Sequence, residues 1–148
     1  MPTIKDRSPW DRAVKYISYK MRTEKEVRDY LGEDCTEEII GKLKDYKFIN
    51  DEEYARMFIE DRKRFRPISQ KMLGFELKRK GILNTEPLSL NSDEDLAKLA
   101  LEKKLRLWSK LEFPEFKIKA ARFLASRGFS WDTIEKTVKK AYNEHHVS

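Results

Sequence analysis

Cysteine, glycine, proline and long apolar runs are all scarce in this sequence. Cys35 is the single cysteine in 148 residues, which excludes an internal disulfide and a cysteine-built zinc site. Glycine and proline number five each, and no stretch is low in complexity. No run of consecutive apolar residues exceeds three, as in Met57-Phe58-Ile59, far short of the roughly 20 that a membrane-spanning helix needs. The opening MPTIKDRSPW has no apolar core of the signal-peptide kind. The expectation is a reduced, cytoplasmic protein with no membrane partner. Period-two alternation is also lacking over any useful length, so strands are not supported.

What is present is charge. Asp, Glu, Lys and Arg make up 39% of the chain, against about a quarter in ordinary soluble domains, and 32 basic residues exceed 26 acidic ones for a net +6. An aromatic content of 11% argues against intrinsic disorder. This length suits one domain or a few small packed repeats. The excess of charge points to an elongated body with much surface for its core.

Apolar residues recur at helical spacing almost throughout: Tyr54, Phe58 and Phe65 with Ala55 and Ile59 beside them; Ala97, Leu101, Leu105 and Trp108; Trp131, Ile134, Val138 and Ala141 or Tyr142. Start signals accompany them. Ser8-Pro9 is an oxygen cap followed by a first-turn proline. Thr23 with Glu26 and Asn50 with Glu53 fit the capping box, and Thr36, Ser92 and Ser130 are further caps with acids in the turn that follows. Pro67 and Pro114 can each open a helix. Gly81 and Gly128, each preceded by basic residues, are stops. Eight helices are predicted, at about 9–21, 24–34, 37–47, 51–65, 68–80, 93–111, 115–127 and 131–144.

Ala13, Ala55 and Ala97 stand 42 residues apart, and their neighbours match: Tyr16-Ile17, Phe58-Ile59, Ala100-Leu101. Leu77-Lys78-Arg79-Lys80-Gly81-Ile82 likewise matches Leu124-Ala125-Ser126-Arg127-Gly128-Phe129. A fixed period of this size marks stacked supersecondary units. The prediction is an all-α, elongated array of three tandem three-helix repeats, over 1–49, 50–91 and 92–148. The third helix of the middle repeat is short or missing, because 84–91 is brief and carries Pro87.

The stretch Phe48-Ile49-Asn50-Asp51-Glu52-Glu53-Tyr54-Ala55-Arg56, followed by Glu76-Leu77-Lys78-Arg79-Lys80-Gly81-Ile82, resembles the signature of the RecX family. The likeness is densest over 48–82, and the Leu124–Phe129 stretch is similar to the family's weaker C-terminal repeat. Two features depart from the family pattern: Arg66-Pro67 stands where a glycine usually precedes the middle repeat's second helix, and that repeat's third helix is reduced. The resemblance implies a non-enzymatic regulator with no cofactor and no metal, whose partners are the RecA filament and, directly or through RecA, its single-stranded DNA. Members of the family lodge in the filament groove, block its growth and reduce RecA's ATPase, strand-exchange and coprotease activities, which bear on DNA repair and the SOS response. A monomer is expected.

Charge placement adds an independent clue. From Arg62 to Gly81, eight cations (Arg62, Lys63, Arg64, Arg66, Lys71, Lys78, Arg79, Lys80) face one acid, Glu76, for a local +7. From Lys103 to Arg127, eight more (Lys103, Lys104, Arg106, Lys110, Lys117, Lys119, Arg122, Arg127) face Glu112 and Glu115, for a local +6. The 42-residue shift carries Arg62 and Arg64 onto Lys104 and Arg106. Such islands suit repeated phosphates or repeated acidic faces. The candidate RecA- or DNA-binding residues are these cations, Lys110 and Arg127 excepted. A solvated helix face is the plain alternative, and a general nucleic-acid-binding protein or a protein-only helical adaptor remains open.

The acids Asp51, Glu52, Glu53, Glu60 and Asp61 could suggest a metal-dependent nuclease. First-turn acids are what a helix N-terminus favours, however, and no histidine lies near them. Tyr16, Tyr19, Tyr54, Phe58 and Phe75 are expected in the core, as are Trp10, Trp108 and Trp131. Phe65, set between Arg64 and Arg66, is the aromatic suited to stacking on bases. Cys35 is expected to be a packed or idle thiol. His145-His146 is a terminal pair without a metal role.

Overall fold

The computed structural model describes residues 7–83 and 91–146. Among them the chain is all-helical, with α1 Pro9–Tyr19, α2 Glu24–Leu31, α3 Glu37–Asp45, α4 Asp51–Phe65, α5 Gln70–Arg79, α6 Asp93–Trp108, α7 Phe113–Ser126 and α8 Trp131–His146. The elements follow the tandem repeat: α1–α3, then α4 and α5, then α6–α8. The short or missing helix expected over 84–91 falls on 84–90, outside the described residues. Contacts divide the chain into two compact units, Met1–Met57 with Leu77–Thr85 and Phe58–Glu76 with Glu86–Ser148. The middle pair, α4 and α5, contributes residues to both.

Most helix starts are set by local capping. Ser8 Oγ accepts from the Asp11 amide at 3.1 Å, Thr36 Oγ1 from Ile39 at 3.2 Å and Asn50 Oδ1 from Glu53 at 3.1 Å. Thr23 with Glu26 and Ser92 with Asp95 form reciprocal capping boxes. Each such cap satisfies an amide that has no partner within the helix and contributes about 1 kcal/mol. Pro67 is different from the expectation. It is buried in a non-helical segment with Ile68 and Ser69, and α5 starts at Gln70, capped by Ser69 Oγ on the Met72 amide at 3.1 Å. The Ser69 amide donates to the Arg127 carbonyl at 3.0 Å, which fastens this non-helical segment just before α5.

The first unit's core is Ala13, Val27, Leu31, Ile40, Leu43 and Ile49, with Trp10, Tyr16 and Cys35 packed against it. The second unit's core joins Leu96, Ala97, Ala100 and Leu101 of α6 to Phe116, Ala120 and Leu124 of α7 and Ile134 and Val138 of α8. Burying each large side chain there stabilises by about 1.5–3 kcal/mol. Several aromatics expected in cores lie outside them. Tyr19, Phe75 and Trp131 are exposed, as is Phe65. Tyr19 ends α1, Trp131 opens α8, and Phe75 lies off the face of α5 that buries Leu73 and Leu77. No residue of α4 is fully buried. The first repeat also has its own glycine stop, Gly32 at φ 57, which ends α2 three residues before Cys35. α8 runs on through His146.

One joint recurs, once inside each unit. In the first unit, the Glu24 amide at the start of α2 donates to Asp51 Oδ1 at 3.0 Å, and Thr23 Oγ1 donates to the Lys80 carbonyl at 2.6 Å. In the second, the Gln70 amide at the start of α5 donates to Asp93 Oδ1 at 2.9 Å, and the Ser69 amide donates to the Arg127 carbonyl. Each joint therefore seats one repeat's second helix on the first helical residue of the next repeat and on the residue just before that repeat's glycine stop. Asp51 and Asp93 are 42 residues apart, and Lys80 and Arg127 are equivalent in the repeated Leu–Gly stretch.

An ion-pair network crosses the first unit. Glu24 accepts from Lys44 at 2.6 Å and Arg28 at 2.8 Å, while Arg28 also reaches Glu37 at 2.7 Å. The hydrogen bond from Lys44, against partial burial and with help from Arg28, holds the Glu24 carboxyl below its usual value near 4.5. Arg28 does the same to Glu37. A carboxylate depressed in the folded state stabilises fully above its unfolded value, and that stability is lost as pH falls through the folded value. Thermal melts at about pH 6 and about pH 3, tracked by helical circular dichroism, are expected to show a smaller acid-induced fall for Glu24→Gln than for the natural chain. An equal fall in both proteins would count against the network.

Candidate functional site

The fourteen candidate cations fall in both units. Lys78 and Arg79 end α5 and Lys80 follows it, all three in the first. Lys78 and Arg79 are exposed, while half-buried Lys80 reaches Glu26 at 3.5 Å. The other eleven belong to the second unit. Lys71 is exposed on the first turn of α5; Arg106 is exposed on the last turn of α6; Lys117, Lys119 and Arg122 are exposed along α7.

Several of these cations are already engaged. Arg62 Nε bonds Glu76 Oε2 at 2.7 Å, and its guanidinium lies over the Phe58 ring at 4.8 Å. Lys103 Nζ donates to the Arg64 carbonyl at 2.9 Å, tying α6 to the end of α4. That contact borders a cleft lined by Glu60, Lys63, Arg64, Leu99, Glu102 and Lys103. Arg64 lies over its neighbour Phe65 at 5.2 Å, and the ring is 68% exposed. The Phe65 ring is thus open to solvent, unlike the aromatics of the two cores.

A second cluster also draws on both islands. The Lys104 ammonium and the Arg127 guanidinium both lie over the Phe123 ring, at 5.5 and 4.8 Å from its centroid, and Trp108 meets that ring edge-on at 6.0 Å. Burial, and then the like charge of Arg66, lower the proton affinity of Arg127. Among the described residues, no acidic side chain pairs with Arg66, Lys104 or Arg127 at ion-pair distance. An aromatic face steadies a cation without neutralising it. The arrangement is therefore a knot of unbalanced positive charge, able to hold an anion. Sequence reasoning passed over Phe123 and left Arg127 out of the candidates. The available signal was that Arg127 stands where Lys80 stands in the other copy of the Leu–Gly stretch.

The acids that could have suggested a metal site are dispersed. Asp51 caps α2 and Glu53 bonds Arg56, while Glu52, Glu60 and Asp61 are exposed. Among the described residues no helix is long and apolar enough to cross a membrane.

Comparison with known proteins gives a consistent result. Three family models match in order along the chain: the first three-helix domain of RecX at 10–43, the second at 50–84 and the third at 92–138. The regulatory protein RecX of Bacillus subtilis (strain 168) is 35% identical over 147 residues, covering 92% of this chain and 56% of the relative. That of Clostridium botulinum (strain Eklund 17B / Type B) is 32% identical over 146 residues, covering 90% and 68%. The chain thus spans little more than half the length of the Bacillus subtilis relative. The crystal structure of RecX from Lactobacillus salivarius superposes with a TM-score of 0.72 at 29% identity, covering 92% of this chain and 95% of that one.

Proposed function

The chain belongs to the RecX family of regulatory proteins, and on that premise we propose that it binds the RecA–single-stranded-DNA filament and inhibits its extension, ATPase, strand exchange and coprotease activity. It modulates DNA repair and the SOS response in this way, acting in the cytoplasm as a monomer, without a catalytic site or cofactor. The observation that carries the reading is the ordered match of all three RecX domains across 10–138. The repeats 1–49, 50–91 and 92–148 each meet the filament, and the fourteen cations contact phosphates or acidic RecA surface.

The charge placement supports this reading. A filament presents the same anionic features at regular intervals, and the two basic islands recur at equivalent places in the repeats. The exposed Lys71, Lys78, Arg79, Arg106, Lys117, Lys119 and Arg122 are available for such contacts. Steady-state ATP hydrolysis by RecA on single-stranded DNA tests the reading. The rate is expected to fall when the chain is added at substoichiometric or equal ratio to RecA. An unchanged rate at equal ratio overturns the proposal.

A further inference from the structure

We propose that Arg127 and Lys104, which share the Phe123 ring, form together with Arg66 a binding site for a backbone phosphate of single-stranded nucleic acid. This deepens the filament-binding reading and rests on it, because it assigns the DNA-facing role to one cluster rather than to the islands as a whole.

The first argument is charge accounting. Arg62 is paired with Glu76, Lys80 with Glu26, and Lys103 is spent on a backbone carbonyl. Arg66, Arg127 and Lys104 have no acidic partner among the described residues, though Arg127 and Lys104 are half-buried. A partly desolvated cation beside a like charge is stabilised by an added anion more than a fully hydrated lysine is. The lowered proton affinity of Arg127 is in keeping with that position.

The second argument is rigidity. The Arg127 carbonyl accepts from the Ser69 amide at 3.0 Å, so the backbone that carries Arg127 is fastened three residues from Arg66. Phe123 holds Arg127 and Lys104 over one ring, and Trp108 backs that ring. Less side-chain freedom is then lost when an anion arrives. A planar guanidinium presents parallel N–H donors to two oxygens of one phosphate.

The third argument selects nucleic acid over an acidic peptide. Phe65, exposed and flanked by Arg64 and Arg66, offers a ring to a base next to the phosphate held by Arg66. Aromatic rings interleaved with cations are the common provision for single strands. A carboxylate itself gains nothing from the negatively polarised face of such a ring.

The test is binding of a fluorescein-labelled oligothymidylate to the full chain alone, titrated at several salt concentrations. Each phosphate contact contributes about 0.7 to the slope of log affinity against log salt for single strands. Arg66→Gln with Arg127→Gln, which removes the single phosphate contact, is expected to flatten the slope by about 0.7. That corresponds to about 5-fold weaker binding at about 0.1 M salt if both proteins bind alike near 1 M. Arg66→Gln alone, at an exposed position, is expected to lose about half the slope change without affecting the fold. Arg127→Lys is expected to retain most of the slope. Lys139→Gln with Lys140→Gln, which removes the same charge from α8, is expected to leave it unchanged.

An unaltered slope in the Arg66/Arg127 variant overturns the site, as does an equal loss in the Lys139/Lys140 variant. If the natural chain does not bind the oligonucleotide yet still inhibits RecA, and the Arg66/Arg127 variant loses that inhibition, the ligand is an acidic protein surface. The phosphate assignment then fails while the filament reading stands.

Discussion

Replacing Gly128 with alanine is expected to destabilise the chain by about 3 kcal/mol, and Gly81→Ala by a similar amount. Both glycines have strongly positive φ, 87° and 90°, a region where an L side chain costs about 1–3 kcal/mol. Space compounds the strain. A Cβ on Gly128 would lie 2.7 Å from Ser69 Oγ and 2.9 Å from Met72 Cβ, and one on Gly81 would overlap the Lys25 side chain at its root. Atoms so close to the backbone cannot swing aside, so the turn must lift off the helix it rests on. In the second unit that endangers the Ser69–Arg127 bond and the Ser69 cap on α5, each contributing about 1 kcal/mol. Gly41, inside α3, is the control, because a methyl group added there would meet nothing within 4 Å. There alanine should stabilise, by up to about 1 kcal/mol, through better helix propensity. Urea unfolding followed by circular dichroism reads all three. A loss below about 1 kcal/mol at Gly128 would mean that the joint yields easily.

Phe116→Ala is expected to cost about 4 kcal/mol, the largest single effect in the second unit. Phe116 is 0% exposed and lies at the centre of the core formed by α6, α7 and α8, with its ring 5.5 Å from that of Tyr142. Ala120 and Leu124 follow it at four-residue steps on the same buried face of α7. Removing the ring forfeits its transfer energy and leaves a cavity walled by helices that cannot all close inward. Phe116→Leu, which keeps most of the volume, should cost about 1–1.5 kcal/mol. The comparison discriminates, because a site able to collapse would make the two variants nearly equal. Denaturant midpoints with Trp108 fluorescence as a second probe supply the measurement. A Phe116→Ala cost under about 2 kcal/mol would show that this core is loosely packed.

The helices were legible because their determinants are local. Ser8, Thr23, Thr36, Asn50, Ser92 and Ser130 each bond an amide three residues ahead, a distance at which sequence order is spatial order. The buried stripes of α6 and α8 were likewise written in their spacing. Pro67 misled because proline permits a helix start without requiring one, and the cap that sets the start of α5 is Ser69, two residues further on. The aromatics misled for a related reason. Spacing puts Tyr19, Phe75 and Trp131 on regular helices, but only a facing element decides whether that part of the helix is covered. The basic islands were visible as composition, whereas the separation of engaged Arg62 from unbalanced Arg127 was not.

The sequence by itself determined that this is an all-helical tandem-repeat protein, because capping, periodicity and the repeated Leu–Gly stretch act over a few residues or recur at a fixed interval. The family was legible in the likeness of 48–56 and 76–82 to the RecX signature. Only the tertiary structure decided how the repeats join and which cations carry unbalanced charge. The Asp51–Glu24, Asp93–Gln70 and Thr23–Lys80 bonds span 27, 23 and 57 positions. Residues so separated become neighbours only when the chain folds. Electrostatic pairing depends on distance and burial in space, and neither is encoded by the order of residues within an island.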